Sequence, residues 1–337
     1  MPDDFFHLDA SDRRAILNDA AQRLGRIPRV LEKDVWVCWA LNHLFSIQDR
    51  RQMAFKGGTS LSKVYGVIDR FSEDVDVTVD FQESAPGGEP NRSQGKNFRN
   101  MAEKGVQEFI ETRVIPVLQK EVDKLINHSP VILYERADAS LTVKYKTALD
   151  EPGTGYLEDK VMIEFGGRNP TNPKSRHRVE AYISNFYPEV LFPSADVDVL
   201  AAERTFWEKV TLIHAAISKG RLESKKNLQF RHWLDVYAMS NTGVYTRARA
   251  DIDLLRRVAE YKRVFFPSKG VDYTDCLTGK LRLAASLESM VREMESDYNS
   301  IGEMYPANPP LFSDVLSAMA ELESEINKAV MDHQSDD

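Results

Sequence analysis

Between residues 55 and 79 the chain reads FKGGTSLSKVYGVIDRFSEDVDVTV, and most of its chemistry-bearing residues crowd into that stretch. Gly57 and Gly58 precede two hydroxyl residues, Thr59 and Ser60, between an apolar run and a helical one. Glycines let a backbone approach a phosphate closely, and the start of a following helix offers unpaired N–H groups and a positive dipole end. The hydroxyls of Thr59 and Ser60 are expected to add donors. Alone, such a pair of glycines is an ordinary strand-to-helix turn. Asp74 and Asp76 follow, two apart, so on a strand their carboxylates face the same way. Two such acids repel each other unless solvent or a metal intervenes. Mg²⁺ commonly binds through one or two carboxylates together with substrate phosphates. A lone Asp-x-Asp is usually a solvated edge strand, and Glu73 and Asp80 read as surface charge of that kind. The combination is more specific than its parts: it sets a triphosphate and its metal in one small unit. Phosphoryl and nucleotidyl transfer need such positioning and neutralisation of charge.

Further chemistry-bearing residues lie downstream. In Lys160-Val-Met-Ile-Glu-Phe, Glu164 is the one acid in an apolar run. A buried acid is costly unless paired or metal-bound, so Glu164 is a candidate third metal ligand or general base, or else the partner of Arg168. In AAERTFWEK, Lys209 lies beside the apolar stripe of Phe206, Val210, Ile213 and Ile217 and can meet phosphates as a point charge. The run Arg231-His232-Trp233-Leu234-Asp235 opens a later helix. Asp235 is expected to bind Lys209 or Arg231, or to take part in catalysis; His232 is expected to be structural.

The elements that must hold these residues can be read from periodicity. Residues 11–25 and 29–47 are predicted helical, the latter with Leu31, Val35, Trp39 and residues 41–44 on one stripe. A strand is predicted over 53–56, a helix over 59–68 begun by a Thr or Ser cap, and a strand over 74–81. Residues 82–95, QESAPGGEPNRSQG, read as a loop, and 97–126 as one long helix. Strands are predicted near 131–135, 140–146, 160–165 and 178–184, with GGRNPTNPKSRHR as a basic loop before the last. Helices at 199–218, 229–240, 245–264, 275–297 and 309–331 complete the chain. The expected division is an α/β domain over 1–198 and a helical bundle over 199–337.

Composition bounds the possibilities. The 337 residues are 42% hydrophobic and 28% charged, as in a soluble globular protein. A formal net charge of -8 argues against indiscriminate coating of DNA. Two distant cysteines, Cys38 and Cys276, make structural zinc improbable and fit a reducing cytoplasm. The acidic N-terminus lacks a signal-peptide core, and no apolar run is long enough to span a bilayer. A monomeric cytoplasmic protein is expected.

Taken together, the motifs resemble the AbiEii/AbiGii toxin family of nucleotidyltransferases, type IV abortive-infection and MenT-like toxins. The matching stretches are EKDVWVCWAL (32–41), FKGGTSLSK (55–63), RFSEDVDV (70–77), ERTFWEKVTLIHA (203–215) and RHWLDVY (231–237). The resemblance implies an α+β fold: an N-terminal mixed-sheet nucleotidyltransferase domain of the DNA polymerase β type, then a C-terminal helical bundle. It places the first motif on Gly57–Ser60 with Asp74 and Asp76, and the lysine motif on Lys209. Its Arg-Asp-x-x-Asp element falls on Arg231 to Asp235, with His232 replacing the first acid. Lys63 and Arg70 match basic positions that would meet the triphosphate or hold the acidic pair. The implied reaction moves an NMP from an NTP to an acceptor hydroxyl, with Mg²⁺ or Mn²⁺ on Asp74 and Asp76. The implied partners are a tRNA 3′ end or other RNA, tracked by Lys174–Arg178, Lys219–Arg231 and Arg256–Arg263, and a cognate antitoxin. Two other readings share these residues: a small-molecule nucleotidyltransferase and a non-catalytic nucleotide-binding module.

Overall fold

The computed structural model describes residues 3–81, 92–125, 128–222, 228–305 and 309–336. The chain divides into two compact units. The first gathers Met1–Val64, Arg70–Ala85 and Arg99–Leu200, and the second Tyr65–Asp69, Pro86–Phe98 and Ala201–Asp337.

The strands are β1 (Asp3–Asp4), β2 (Met53–Lys56), β3 (Val75–Val79), β4 (Val131–Glu135), β5 (Ser140–Lys144), β6 (Lys160–Gly166), β7 (Lys174–Glu180), β8 (Val190–Leu191) and β9 (Ser194–Leu200). β1 and β8 form a small parallel pair; the other seven form one mixed sheet in the order β4-β5-β6-β3-β2-β9-β7. Within it β3 runs parallel to β6 and antiparallel to β2, and β2 runs parallel to β9. One face is apolar: Phe55, Val75, Val77, Val79, Ile163, Phe165, Val197 and Val199 are all buried. The alternate residues, Asp76, Glu164 and Asp198 among them, point to the other face. The first helices of this part are α1 (Ala10–Leu24), α2 (Pro28–Phe45) and α3 (Gly57–Lys63). α2 begins on Pro28, where a missing N–H costs nothing, and packs on β6 and β9.

The long helix predicted over 97–126 is instead α4 (Arg92–Phe109), a π-helical stretch at Ile110–Val114, and α5 (Ile115–Val122). Pro116 explains the break, because its ring displaces the carbonyl one turn back and it donates no hydrogen bond. Of the loop predicted over 82–95, residues 82–91 lie outside the described residues and 92–95 belong to α4. The predicted basic loop is a loop only to Pro173. Lys174–Glu180 pairs along its length with β9, a strand the periodicity reading missed by starting a helix at 199.

The second unit is helical: α6 (Ala202–Lys219), α7 (Arg231–Ser240), α8 (Gly243–Ala250), α9 (Ile252–Phe265), α10 (Glu288–Tyr298) and α11 (Phe312–Asp336). Phe206, Trp207, Trp233, Leu255, Met294, Met319 and Ile326 contribute to its core. The single helix predicted over 245–264 is two, because the Asp251 carboxylate accepts from Leu254 N (2.9 Å) and starts α9 afresh. The one predicted over 275–297 reduces to a 3-10 turn at Tyr273–Leu277 and α10, with Gly279 at φ +70° between them. The architecture, a mixed-sheet domain followed by helices, is the expected one. Among the described residues no helix is long and apolar enough to cross a membrane.

Candidate active site

β2 delivers the glycine turn. Gly57 sits at φ +79°, a backbone state that side chains disfavour, and starts α3 without a side-chain cap. A Cβ on Gly57 would lie 1.9 Å from Asp76 Oδ2, so the turn is packed directly on that carboxylate. A Cβ on Gly58 would lie 2.6 Å from both Arg70 Nη2 and Ser72 Oγ. The two glycines therefore admit an acid on one side and a guanidinium on the other. The Thr59 hydroxyl donates to the Asp74 carbonyl (2.5 Å) and that of Ser60 to the Gly57 carbonyl (2.9 Å). Both side chains are buried. This corrects their expected role: the Thr59 hydroxyl ties α3 to the Asp-x-Asp segment and the Ser60 hydroxyl closes the first turn of α3, so neither is directed outward as a phosphate donor.

Asp76 lies opposite Lys56 on β2 and opposite Glu164 on β6. Asp74 stands one residue before β3, on the same alternation. Among the described residues Asp76 has no ion pair. The sheet carries a second Asp-Val-Asp-Val strand, β9, and there the acids are matched: Asp198 pairs with Lys174 (3.6 Å) and Arg176 (3.8 Å), and Asp196 with Arg178 (3.2 Å). These cations, expected to track RNA, are thus paired with acids of the neighbouring strand. Glu164 is exposed, which corrects the argument from burial, and Arg168 pairs with Glu103. Among the described residues no three acidic, histidine or cysteine side chains come together as a preformed metal site. Glu164 nevertheless stands opposite Asp76 on the neighbouring strand.

Two basic positions have other tasks. Lys63 forms a buried ion pair with Asp34 (2.5 Å) and lies 4.1 Å from the Tyr182 ring centroid. Burial opposes its charge most strongly, but Asp34, Cys38 and Tyr182 together outweigh it and raise its pKa. Lys63 therefore ties α3 to α2 and does not present its ammonium to a phosphate. Arg70, buried against Gly58, also donates to the Phe71 carbonyl (3.3 Å).

Sequence reasoning missed α2's contribution. Glu73, read as surface charge, is nearly enclosed and ion-paired with fully buried Lys33. Burial pushes the Glu73 carboxyl up to about 7, against the pull of Lys33. The available signal was Glu32-Lys33-Asp34 itself: three successive charges cannot all find solvent on a helix flanked by Val30, Leu31 and Val35–Leu41.

In the second unit Lys209 and Asp235 form a buried ion pair (2.8 Å), and the Lys209 ammonium also lies 3.4 Å from His232 Nδ1. Arg231 opens α7 and is half-buried. Lys209 on α6 and His232 and Asp235 on α7 thus form one cluster, with Lys209 one of the partners expected for Asp235. Of the stretch Lys219–Arg231, residues 223–227 lie outside the described residues. Arg256 and Arg257 pair with Asp253 and Asp251.

A family model described as "Nucleotidyl transferase AbiEii toxin, Type IV TA system" matches residues 39–318, which include the glycine turn, both aspartates and the Lys209 cluster. The chain belongs to the AbiEii family. It is a nucleotidyltransferase of the toxin type. A solved structure, that of MenT4, a nucleotidyltransferase toxin from Mycobacterium tuberculosis H37Rv, is 17% identical over 96% of this chain and 98% of its own, at a TM-score of 0.43. A likeness that distant adds nothing to the family assignment, which rests on the family model. No curated protein matches.

Proposed function

We propose that this AbiEii-family enzyme transfers an NMP from an NTP to the 3′-terminal hydroxyl of a tRNA, and that the transfer is its toxic act. The observation carrying the reading is the contact of the Gly57 turn with the Asp76 carboxylate. It brings a glycine backbone turn together with an acid that has no ion pair among the described residues.

Asp74 and Asp76 fit a Mg²⁺ or Mn²⁺ ion that completes its shell with substrate phosphate oxygens, so three protein acids are not required. Bound there, the ion would neutralise phosphate charge and polarise the attacking oxygen. Backbone N–H groups at Gly58–Ser60 orient the triphosphate, and Arg70 supports the turn from behind. In the second unit, Lys209, held by Asp235, and Arg231 are proposed as nucleotide contacts. Glu164, facing the same way as Asp76, is proposed as a proton acceptor for the acceptor hydroxyl. The family's type IV toxin–antitoxin description supports a cognate antitoxin as partner.

The test is incubation of the protein with Mg²⁺, each α-labelled NTP and total tRNA, beside an Asp74→Asn/Asp76→Asn control. Label entering tRNA with wild type alone is expected. Pyrophosphate release without labelled RNA would replace tRNA by a small-molecule acceptor. NTP binding without any turnover would leave only a binding module.

A further inference from the structure

Glu32, Lys33 and Asp34 lie in the second turn of α2 and are 0%, 0% and 3% exposed. Each holds a different segment of the first unit. Glu32 accepts from the Thr147 hydroxyl (2.5 Å) and from Ala148 N (2.7 Å). Asp34 holds Lys63, the last residue of α3, and accepts from Tyr182 N (2.7 Å). Lys33 donates to the Glu73 carboxylate and to the Glu158 carbonyl (2.8 Å).

The last pair of contacts bears on the chemistry. Glu73 adjoins Asp74 in the chain, and Glu158 lies two residues before β6 begins. β3 and β6 are parallel neighbours, registered so that Asp76 faces Glu164. One ammonium therefore joins the entries of the two strands that carry the acids. Stability alone does not call for such a group, since well-packed apolar residues often replace a buried ion pair without loss.

We propose that Lys33 is a positioning residue for nucleotidyl transfer: by holding Glu73 and the Glu158 carbonyl together, it fixes where Asp74 and Asp76 stand for the divalent ion. This rests on the reading of those two aspartates as the ion's ligands.

The experiment measures Mn²⁺ binding to the 337-residue chain in the presence of a non-hydrolysable NTP analogue, by the electron paramagnetic resonance of free Mn²⁺. Melting temperature is recorded alongside. Residues that hold a metal's ligands typically contribute about 10–100-fold to affinity, so Lys33→Met is expected to weaken Mn²⁺ binding about tenfold or more. It also strands the Glu73 charge, so its melting temperature falls. The double variant Lys33→Met/Glu73→Gln removes that charge. Its melting temperature is expected to recover while its Mn²⁺ affinity stays low. Recovery of both would show that Lys33 only compensates a charge, and would overturn the proposal. Should the Met variants not fold, Lys33→Arg decides: it keeps the charge but changes the reach. Mn²⁺ binding weakened about tenfold supports positioning, and wild-type binding overturns it. Asp76→Asn separates the two levels. If Asp76→Asn leaves Mn²⁺ affinity unchanged, the ligand reading itself fails and this inference goes with it; if it weakens binding while the Lys33 variants do not, only this inference fails.

Discussion

Replacing Gly57 with alanine introduces one methyl group into the contact on which the site depends. At φ +79° the new residue carries backbone strain of about 1–2 kcal/mol. Its Cβ would start 1.9 Å from Asp76 Oδ2 and 2.8 Å from Asp76 Cγ, distances that real Cβ atoms do not tolerate. The carboxylate must therefore retreat by about 1 Å, and a misplacement of that size costs roughly 100-fold in rate. Gly25→Ala supplies the control. Gly25 has φ +61° at the end of α1, and a Cβ added there would meet nothing within 4 Å. Gly25→Ala should lose about 1–2 kcal/mol in urea unfolding, and Gly57→Ala at least as much. Only Gly57→Ala should lose about 100-fold in pyrophosphate release. Wild-type turnover in Gly57→Ala, or an equal loss in Gly25→Ala, would refute the argument that this turn positions Asp76.

Three further outcomes are expected. His128 is buried, accepts from Arg13 at Nδ1 (2.8 Å), and reaches the Phe6 carbonyl through Nε2 (2.7 Å). Burial lowers its pKa from 6.5 to about 4, so below pH 6.5 the unfolded chain takes a proton that the folded chain refuses. Stability should fall as pH drops through that window, by about 3 kcal/mol in all, and His128→Gln should flatten the fall in urea titrations at pH 7, 5 and 4. Lys63→Met leaves Asp34 buried and unpaired, so it should cost about 3–5 kcal/mol of stability without raising the KM for NTP; a raised KM would return Lys63 to the phosphate. Glu164→Gln distinguishes a proton acceptor from a bystander: loss of a general base lowers kcat about 100-fold or more, and a loss below tenfold would remove Glu164 from the mechanism.

Much of the site was legible because its signals are local. A glycine pair, one short helix and an alternating acid strand all lie within 25 residues of sequence. β2 was read with its observed limits, and the Lys209–Asp235 pairing was among the partners foreseen for Asp235. What escaped was non-local. β9 repeats the Asp-Val-Asp-Val pattern of β3, but its acids are matched across the ladder by Lys174, Arg176 and Arg178, which no count of local periodicity links to them. Glu73 looked like surface charge because its partner, Lys33, is 40 residues away. Lys63 and Thr59 carry groups suited to phosphate, and only their contacts with Asp34 and the Asp74 carbonyl reveal the competing use. Glu164 was judged by its apolar neighbours, which belong to the opposite face of the strand.

The central claim is that Asp74 and Asp76 share a divalent ion beside the Gly57 turn. Crystals grown with Mn²⁺ and a non-hydrolysable NTP analogue, with diffraction recorded at the manganese edge, test it most directly. The account predicts an anomalous peak within coordination distance of both carboxylates, with the analogue's phosphates over Gly58–Ser60. A peak bound elsewhere, or phosphates seated away from that turn, would contradict it.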